Sequence, residues 1–581
     1  MAEFNLIDEP WIPCIDPHGQ RVDYGIRDTL LRAHELREIC DDSPLVTVAI
    51  HRLLLAVLYR AYKGPSDMAS WKALYARGRF DPSDGIGNYL KDWYNRFDLF
   101  DDNHPFMQVA GLDLNDYKQD GAVKNYKSDG LMRLVREAPD KRGRILFDHR
   151  VGVERPDYEP KQIAKMILSA QSYSGTGVAS AGKVGNQPIT PTPCQFAPCV
   201  EGLILWLQGE SLFHTLLLNL VPRGHVVNDK PAWEDDSIVD AAIQSWGNPI
   251  SFTGPVQRFA PLSRFIRVID RKSVFFTNGL KAVADAEDPM KAYLRPDNQS
   301  NYKPVKLQKD RAAWRDAHTL FARGSSVRKP PECLNHVARL FSDNTLTTRV
   351  PPRANVVGLA TDQGKALLWR HERLPVPRAI LASVDLTERL GVEGNPPKGL
   401  IPEAEAIGET LSKGLFWSNT AKKTIRTEPV GRIQAIADLV LAPSLELRTV
   451  GVLRTSEGRA PEDAHNKAAL DLSGSLDPLP AYWARLETHF FDLLENLPND
   501  WDAASNDWKV DDQQTATNAW REHVKGEARR ALEESIRCLG TAVRAIQAVA
   551  RVRTDFDDDD LKPQPQKMVK ARQKAKGGKK K

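Results

Sequence analysis

Cysteine is scarce in this sequence, with six residues spread over 581 positions. The closest pair, Cys194 and Cys199, has no second pair to complete the four ligands of a structural zinc site. The H-E-x-x-H pattern of helical zinc enzymes does not occur either. We therefore expect idle thiols, no bound metal and no cofactor.

Long uncharged hydrophobic runs are also missing. The most apolar segment, SPLVTVAIHRLLLAVLYRAYKG (43–64), carries His51 and Arg52 in its middle, so it predicts a buried core helix that starts at Ser-Pro and stops at Gly. The first residues, MAEFNLIDEPWIP, have neither the basic nor the apolar region of a secretory signal. These absences predict a cytoplasmic protein without a membrane partner.

One glycine-rich segment, SGTGVASAGKVGNQPITPTP (174–193), contains the G-x-x-x-x-G-K core of a nucleotide-binding P-loop. Val184 follows Lys183, so the hydroxyl that would ligate Mg²⁺ is absent. Residues 161–174 before the motif have helical spacing, whereas a P-loop follows a strand and opens a helix. A loop that a ligand can approach closely is the better interpretation.

Basic residues are unevenly distributed. The net charge is +4, but residues 562–581 hold nine Lys or Arg and no acid, which leaves 71 basic against 76 acidic residues elsewhere. Nucleic-acid contact would thus depend on local patches and on this tail, which is either a flexible end or a phosphate-binding segment. The strongest local patch comprises Arg258, Arg264, Arg267, Arg271 and Lys272. A solvated strand face is its simplest interpretation.

The hydrophobic pattern changes near residue 376. Before this point, short runs rich in β-branched and aromatic residues alternate with helical stretches, at 203–208, 265–270 and 273–277. After it, four segments have helical periodicity: 401–417, 424–442, 480–497 and 514–556. In the last segment a single apolar stripe is predicted from Leu532, Ile536, Leu539, Val543, Ile546 and Val549.

This pattern predicts an α+β fold class. A large irregular mixed N-terminal domain is expected over residues 1–375, followed by a C-terminal four-helix bundle over 376–556. Residues 557–581 form an acidic and then basic tail, which we expect to be disordered.

Three stretches occur in order: FNLIDEPWIP (4–13), DDNHPFMQV (101–109) and ILFDH (145–149). Together they resemble the CasA family, the large subunits of the type I-E CRISPR Cascade complex. The resemblance runs from residue 4 to about 372 by motif and to about 556 by architecture, since the family joins a mixed domain to a four-helix bundle. The basic tail lies outside it.

The resemblance implies a non-catalytic, DNA-binding and RNA-binding subunit in antiviral defence. Such a subunit recognises the protospacer-adjacent motif (PAM) of double-stranded target DNA through the minor groove and starts strand separation for the guide RNA. Its implied partners are the target DNA, the 5′ handle of the guide RNA, the other Cascade subunits and a helicase–nuclease recruited after target binding.

Two PAM-recognition elements are implied by local matches to the family. Counting back from PIT (188–190), its glycine loop corresponds to Gly175, Thr176 and Gly177, and backbone without a Cβ can enter a minor groove about 6 Å wide. Its lysine finger corresponds to Lys272, which precedes SVFFTNGL. A long cationic side chain can donate to acceptors shared by A·T and T·A pairs. On the residues alone, Lys272 is simply an exposed strand-edge lysine. Asn278-Gly279 is a favourable hairpin-turn pair.

A third element, the family's glutamine wedge, matches GLATDQGKALLWRH (358–371). It supplies Gln363, with Thr361 and Asp362 before it. A planar amide there would lie against the last PAM pair and oppose restacking of the next pair.

The stretch ILFDH matches a family loop that meets the guide RNA and neighbouring subunits. Its candidates are Phe147, Asp148 and His149. A phenylalanine there would stack on a splayed RNA base, although a buried Phe in a turn explains the residue equally well.

Two other functions stay open. One is a P-loop nucleotide hydrolase, against which the missing hydroxyl at Val184 argues. The other is a general nucleic-acid-binding scaffold protein that acts through residues 562–581, and deletion of this tail would then abolish DNA binding.

Overall fold

The chain forms two compact units, residues 1–382 and residues 383–581. The computed structural model describes residues 3–117, 123–125, 128–135, 155–178, 181–190, 193–246, 248–281, 287–296, 300–346, 352–362, 365–392, 397–412, 417–420, 423–426, 432–433, 436–437, 440 and 471–552. The predicted domain limits at residues 375 and 556 stay predictions.

Helices of the first unit are mostly short. They are α1 (Ile26–Leu31), α2 (Pro44–Ala61), α3 (Met68–Arg77), α4 (Ile86–Asp92), α5 (Pro160–Tyr173), α6 (Leu212–Asn219), α7 (Ile238–Gln244), α8 (Pro255–Phe259), α9 (Ala317–Leu320), α10 (Glu332–Ser342) and α11 (Arg378–Ala382). Single 3₁₀ turns occur at Pro82–Asp84, Tyr94–Arg96, Leu131–Leu134, Ala232–Glu234 and Ala313–Asp316.

Strands of the first unit are short as well, apart from the last two. They are β1 (Ile12–Ile15), β2 (Arg21–Tyr24), β3 (Glu38–Ile39), β4 (Leu112–Asp113), β5 (Asp116–Tyr117), β6 (Val123–Asn125), β7 (Asp129–Gly130), β8 (Gly177–Val178), β9 (Gly182–Val184), β10 (Gln187–Ile189), β11 (Pro193–Cys194), β12 (Ile204–Gln208), β13 (Arg264–Val268), β14 (Ser273–Asn278), β15 (Tyr293–Leu294), β16 (Lys303–Pro304), β17 (Arg328–Lys329), β18 (Arg353–Asp362) and β19 (Lys365–Pro375).

These strands form small antiparallel sheets. The strand orders are β2-β1-β3, β10-β9-β4, β11-β8, β12-β18-β19, β13-β14-β7, β16-β15-β17 and β5-β6. Helices and several small sheets are interspersed along the chain, so the α+β class and the irregular mixed architecture are confirmed.

Helix α2 is the buried core helix that the sequence predicts. The Ser43 side chain caps its start by accepting from the Val46 N–H at 3.4 Å, and Pro44 occupies the first helical position. By length and composition α2 could cross a membrane, but 83% of it is buried inside the fold. Arg52 is compensated there by Asp288, whose Oδ2 lies 2.8 Å from its Nη2.

The second unit contains helices and two small hairpins. Its helices include α12 (Val384–Leu390), α13 (Leu400–Ser412), α14 (Leu479–Asn496), α15 (Thr515–Arg537) and α16 (Val543–Val552), with 3₁₀ turns at Leu497–Asp500 and Asp511–Gln513. Residues 432–433, 436–437, 440 and 471–475 are helical as well. Its strands are β20 (Trp417–Thr420), β21 (Lys423–Arg426), β22 (Trp501–Asp502) and β23 (Asp507–Trp508).

Three of these helices pack together through polar contacts as well as apolar ones. The Tyr482 hydroxyl of α14 donates to the Ala404 carbonyl of α13 at 2.9 Å, and Trp520 Nε1 of α15 donates to the Leu400 carbonyl at 3.1 Å. Residues 441–470 lie outside the described part of the chain. The four-helix bundle therefore stays a prediction.

Two helix predictions in this unit are wrong in detail. The predicted helix at 424–442 begins instead with strand β21, which pairs with β20, although residues 432–433, 436–437 and 440 are helical. The predicted continuous helix 514–556 ends at Arg537, because Gly540 adopts a left-handed φ of 70° that terminates helices. The apolar stripe therefore breaks, and Val543 and Ile546 are 68% and 56% exposed.

Candidate nucleic-acid interface

Lys272 lies in the turn between β13 and β14, within residues 264–278, which are called the lysine hairpin. The Lys272 side chain is exposed, while its backbone is held by hydrogen bonds. The Lys272 N–H donates to Asp270 Oδ1 at 2.8 Å, and the Lys272 carbonyl accepts from the Leu131 N–H at 3.3 Å. The turn thus presents a cation from a constrained backbone.

Arg155 reinforces this turn from one side. Its guanidinium donates to the hydroxyls of Ser128 and Ser273 at 2.9 and 2.8 Å, and to the Ser128 carbonyl at 2.7 Å. Arg271 adds a bond from Nε to the Tyr158 carbonyl at 2.9 Å. Two chain segments, one before and one after residues 136–154, are therefore hydrogen-bonded to the turn.

The basic patch around Lys272 is divided between core and surface, so a uniformly solvated strand face is the wrong interpretation. Arg267, Arg271 and Lys272 are exposed. Arg264 is only 2% exposed, and Arg258 is partly buried with its guanidinium over the Phe252 ring, where burial lowers its pKa. Only the exposed members are available to a phosphate or a base.

Asn278-Gly279 is not a hairpin turn. Asn278 pairs with Arg264 at the far end of the strands, and the Leu280 N–H continues the pairing by donating to the Leu262 carbonyl at 2.9 Å. Gly279 is required here by close backbone approach, since an added Cβ would lie 2.5 Å from the Leu262 carbonyl oxygen.

The glycine loop, Gly175, Thr176 and Gly177, follows the end of helix α5. Gly175 is partly buried and Thr176 is exposed, while Gly177 begins β8 and pairs with Cys194 of β11. The Gly175 carbonyl accepts from Arg264 at 2.7 Å. The loop is therefore linked to the first residue of the lysine hairpin.

The P-loop-like motif has the reverse of a P-loop environment. Helix α5 precedes the glycines, and Lys183 lies on strand β9, which pairs with β10. Gly185, with a φ of 58°, forms the turn between these strands. No helix N-terminus stands after Lys183 among residues 181–190 to bind a phosphate.

Strands β18 and β19 form a long hairpin that contains the wedge match at 358–371, and residues 353–375 are called the wedge hairpin. Thr361 is partly buried, and Asp362 pairs with Lys365 at the end of the strands. The pairing register shifts near Thr361. Gln363, the proposed wedge, lies outside the described residues.

The guide-RNA candidates Phe147, Asp148 and His149 also lie outside the described residues, as does the basic tail. Among the positions that the structure does describe, no cluster of three His, Cys, Asp or Glu side chains could hold a metal ion. Cys199 is buried, and this burial raises its pKa, which disfavours the thiolate that metals bind.

Sequence reasoning missed Arg155 and misjudged Arg264. Arg155 shares no motif with the serines that it contacts, so no local signal identifies it. Burial does not alternate along β13, where Phe265 is buried as well as Ile266 and Val268, so the strand pattern gives no signal that Arg264 is buried.

Comparisons with known proteins agree with one another. The family model of CRISPR-associated protein Cse1 matches residues 5–531. A CRISPR-associated protein CasA/Cse1 of Thermus thermophilus is 28% identical over 567 residues, covering 96% of this chain and 97% of that protein.

Solved structures share the fold. A CRISPR-associated protein from Thermus thermophilus superposes with a TM-score of 0.69 at 25% identity, covering 96% of this chain and 98% of that one. A chain of a CRISPR RNA-guided surveillance complex superposes with a TM-score of 0.65 at 18% identity, covering 95% of this chain and 99% of that one.

Proposed function

The chain belongs to the CRISPR-associated protein Cse1 (CasA) family, and we propose that it recognises the PAM of duplex DNA for an RNA-guided surveillance complex of type I-E. In this role the protein is a non-catalytic large subunit in the cytoplasm. It starts strand separation and helps recruit the helicase–nuclease.

One observation carries this proposal. The exposed Lys272 and the glycine loop belong to two elements that are hydrogen-bonded to each other, because Arg264 begins the lysine hairpin and contacts the Gly175 carbonyl. About four strand residues separate Arg264 from the turn, which corresponds to about 13 Å at about 3.3 Å per residue. Both elements could therefore contact one minor groove within about four base-pair steps of each other.

The chemistry of the two elements suits the minor groove. The Lys272 ammonium has three donors and no acceptor, so it matches purine N3 and pyrimidine O2, which occur in both A·T and T·A pairs. The glycine loop supplies backbone with little side-chain bulk. This combination favours tolerant recognition of several related PAMs.

The wedge hairpin supplies the next step. Gln363 is proposed to lie against the terminal PAM pair, with Thr361 and Asp362 of β18 directly before it in the chain. Unstacking costs a few kcal/mol per step, which guide pairing and protein contacts must offset. Phe147, Asp148 and His149 are proposed to meet the 5′ handle of the guide RNA or a neighbouring subunit.

The test compares two variants in the reconstituted complex. Lys272→Ala should weaken binding to the preferred PAM by about 1 to 3 kcal/mol and narrow the difference between preferred and poor PAMs. Gln363→Ala should leave capture of duplex nearly unchanged but slow strand opening, followed by the fluorescence of a base analogue beside the PAM.

Arg267→Ala is the matched control, because Arg267 is exposed on the same hairpin and has no counterpart in the family motif. A phosphate contact at Arg267 would weaken all duplexes alike and lower the salt slope by about one unit. If Lys272→Ala shows this uniform behaviour while Arg267→Ala changes the PAM ranking, the lysine finger is assigned to the wrong residue.

A further inference from the structure

A buried arginine stands directly behind the glycine loop. Arg264 is 2% exposed, yet it lies at the start of β13, where a surface cation would be ordinary. Burial of a guanidinium is costly unless its donors are satisfied, so its partners indicate why this position carries an arginine.

Backbone carbonyls satisfy these donors. The guanidinium donates to Ser263 at 2.6 Å and Ser174 at 3.2 Å, and to Gly175 at 2.7 Å and Gln195 at 2.8 Å. Ser174 is the cap residue at the end of helix α5, where the helix dipole favours a cation.

These contacts close the base of the loop. Strands β8 and β11 pair with each other, and Gly175 precedes β8 whereas Gln195 follows β11. Arg264 therefore bonds to both chain segments where they leave the strand pair. A side chain with fewer donors could not satisfy these carbonyls together.

Gln171 fixes Arg264 itself. Its Nε2 donates to the Arg264 carbonyl at 2.8 Å, and its Oε1 accepts from the Arg264 N–H at 2.9 Å. Gln171 lies in the last turn of α5 and is buried. The backbone and the guanidinium of Arg264 are thus both held by the helix that leads into the loop.

Holding the carbonyls determines the direction of the amides. In a trans peptide the C=O and the following N–H point to opposite sides. With the Gly175 carbonyl turned towards Arg264, the Thr176 N–H points away from the core. An N–H directed outward at this position is a donor for minor-groove acceptors.

We propose that Arg264 is a positioning residue for PAM recognition, which turns the glycine-loop carbonyls inward and so presents the Thr176 amide to the DNA. This inference rests on the proposed function of the loop and adds the residue that sets its conformation. Arg264 itself does not touch DNA, because it is buried.

The experiment uses Arg264→Met, which keeps much of the side-chain volume but has no donors, in the reconstituted complex. Affinity is measured for duplexes with preferred and poor PAMs, and hydrogen exchange is measured over residues 174–178. We expect the preference to fall by about tenfold, the size of one good base contact. Affinity for the poor PAM should change less than about twofold, and loop amides should exchange faster.

Arg267→Met serves as the control, since it removes a cation from the same strand but leaves the loop carbonyls bonded. Unchanged PAM preference and unchanged loop exchange in Arg264→Met would overturn the proposal. If Arg264→Met does not fold, Arg264→Lys decides, because it keeps the charge with fewer aligned donors and should show a partial loss of preference.

Lys272→Ala separates this inference from the proposed function. If Lys272→Ala and Arg264→Met both leave the preference intact, the surface does not recognise the PAM, whatever the loop exchange shows. If only Lys272→Ala lowers the preference, PAM recognition stands and the role of Arg264 is wrong.

Discussion

The lysine hairpin and the wedge hairpin are held in opposite ways. The lysine hairpin is short and is bonded at both ends: Arg264 contacts the glycine loop, and Arg155 contacts Ser273 beside the turn. The wedge hairpin pairs with a third strand along residues 353–357, which pair with β12, and Arg370 of β19 donates to the Arg311 and Lys309 carbonyls at 2.8 and 3.2 Å. Beyond Val357, β18 pairs with β19 alone.

This difference suits the two proposed tasks. Recognition of base edges needs donors in fixed positions, and a cation on a constrained turn provides them. Strand separation needs an element that can reach the DNA, and the end of a two-stranded ribbon provides one although such a ribbon is only marginally stable by itself. Leu367 and Trp369 are 57% and 42% exposed on the ribbon, whereas Leu359 and Ala360 are 4% and 7% exposed, so β18 stays packed as far as Ala360.

The largest effect is expected from adding a methyl group where the lysine hairpin packs. Gly279→Ala would place Cβ 2.5 Å from the Leu262 carbonyl oxygen and 2.7 Å from the Arg264 nitrogen, both in the backbone. Because backbone atoms cannot move aside cheaply, we expect a loss of more than about 3 kcal/mol in the free energy of unfolding.

Gly358→Ala is the matched variant at the point where the wedge hairpin leaves β12. Its Cβ would meet side chains, Leu203 Cδ2 and Leu307 Cβ, at 2.7 Å. Side chains can repack, so we expect about 1 to 2 kcal/mol. Denaturant unfolding followed by tryptophan fluorescence measures both losses, and equal losses would show that the two hairpins are equally constrained.

The sequence predicts the elements of both hairpins better than it predicts how they are held. Helices α2 and α5 and strands β12 to β14 follow from periodicity and turn signals, whereas the wedge hairpin follows only from the family resemblance. Arg264 was misjudged because its partners Gly175 and Gln195 are 89 and 69 residues away along the chain. No pattern within one segment contains such a contact.

Helix breaks show a different limit. Gly540 ends a segment whose apolar spacing continues past it, and the left-handed φ of 70° determines the outcome. Periodicity alone gave the stripe through Val543 and Ile546, although both side chains are exposed. Asn278-Gly279 was misassigned for a related reason, since a glycine required by close packing and a turn glycine look identical in sequence.

A pH-dependent loss of stability is expected at the base of the wedge hairpin. His51 of α2 and His371 of β19 lie against the ring of Trp206 in β12, with centroid distances of 5.3 and 5.6 Å. Burial lowers the pKa of His51 to about 4 and also lowers the pKa of His371. The lysine hairpin contains no histidine.

The sign follows from the lowered pKa of His51. The folded state favours the neutral ring of His51, so protonation of this ring opposes folding. The free energy of unfolding is therefore highest above pH 6.5, the ordinary pKa of histidine, and falls as the pH falls towards 4. For His51 the loss at about pH 4 is about 3 kcal/mol. The measurement is the pH dependence of unfolding in the wild type and in His51→Gln, with the exposed His18→Gln as control. If the free energy of unfolding of His51→Gln falls with pH as steeply as that of the wild type, other groups cause the pH dependence.

Losses smaller than those at Gly279 and at low pH are expected from removing one arginine on each hairpin. Arg155→Met removes the donors to Ser128 and Ser273 beside the Lys272 turn, and we expect a loss of about 2 kcal/mol because these partly buried groups lose charge-assisted bonds. Arg373→Met, on the wedge hairpin, removes an ion pair with Glu38 whose arginine is 44% exposed, so less than about 1 kcal/mol is expected.

The functional consequences should separate these two variants more clearly than their stabilities do. Arg155→Met loosens the Lys272 turn, so it should narrow the difference in affinity between preferred and poor PAMs. Arg373→Met should leave that difference intact. Affinities of the reconstituted complex for both duplexes, measured below the unfolding temperature of either variant, provide the comparison. A narrowed difference in Arg373→Met with a normal one in Arg155→Met would mean that PAM recognition depends on the wedge hairpin, and that constraint of the lysine hairpin serves stability alone.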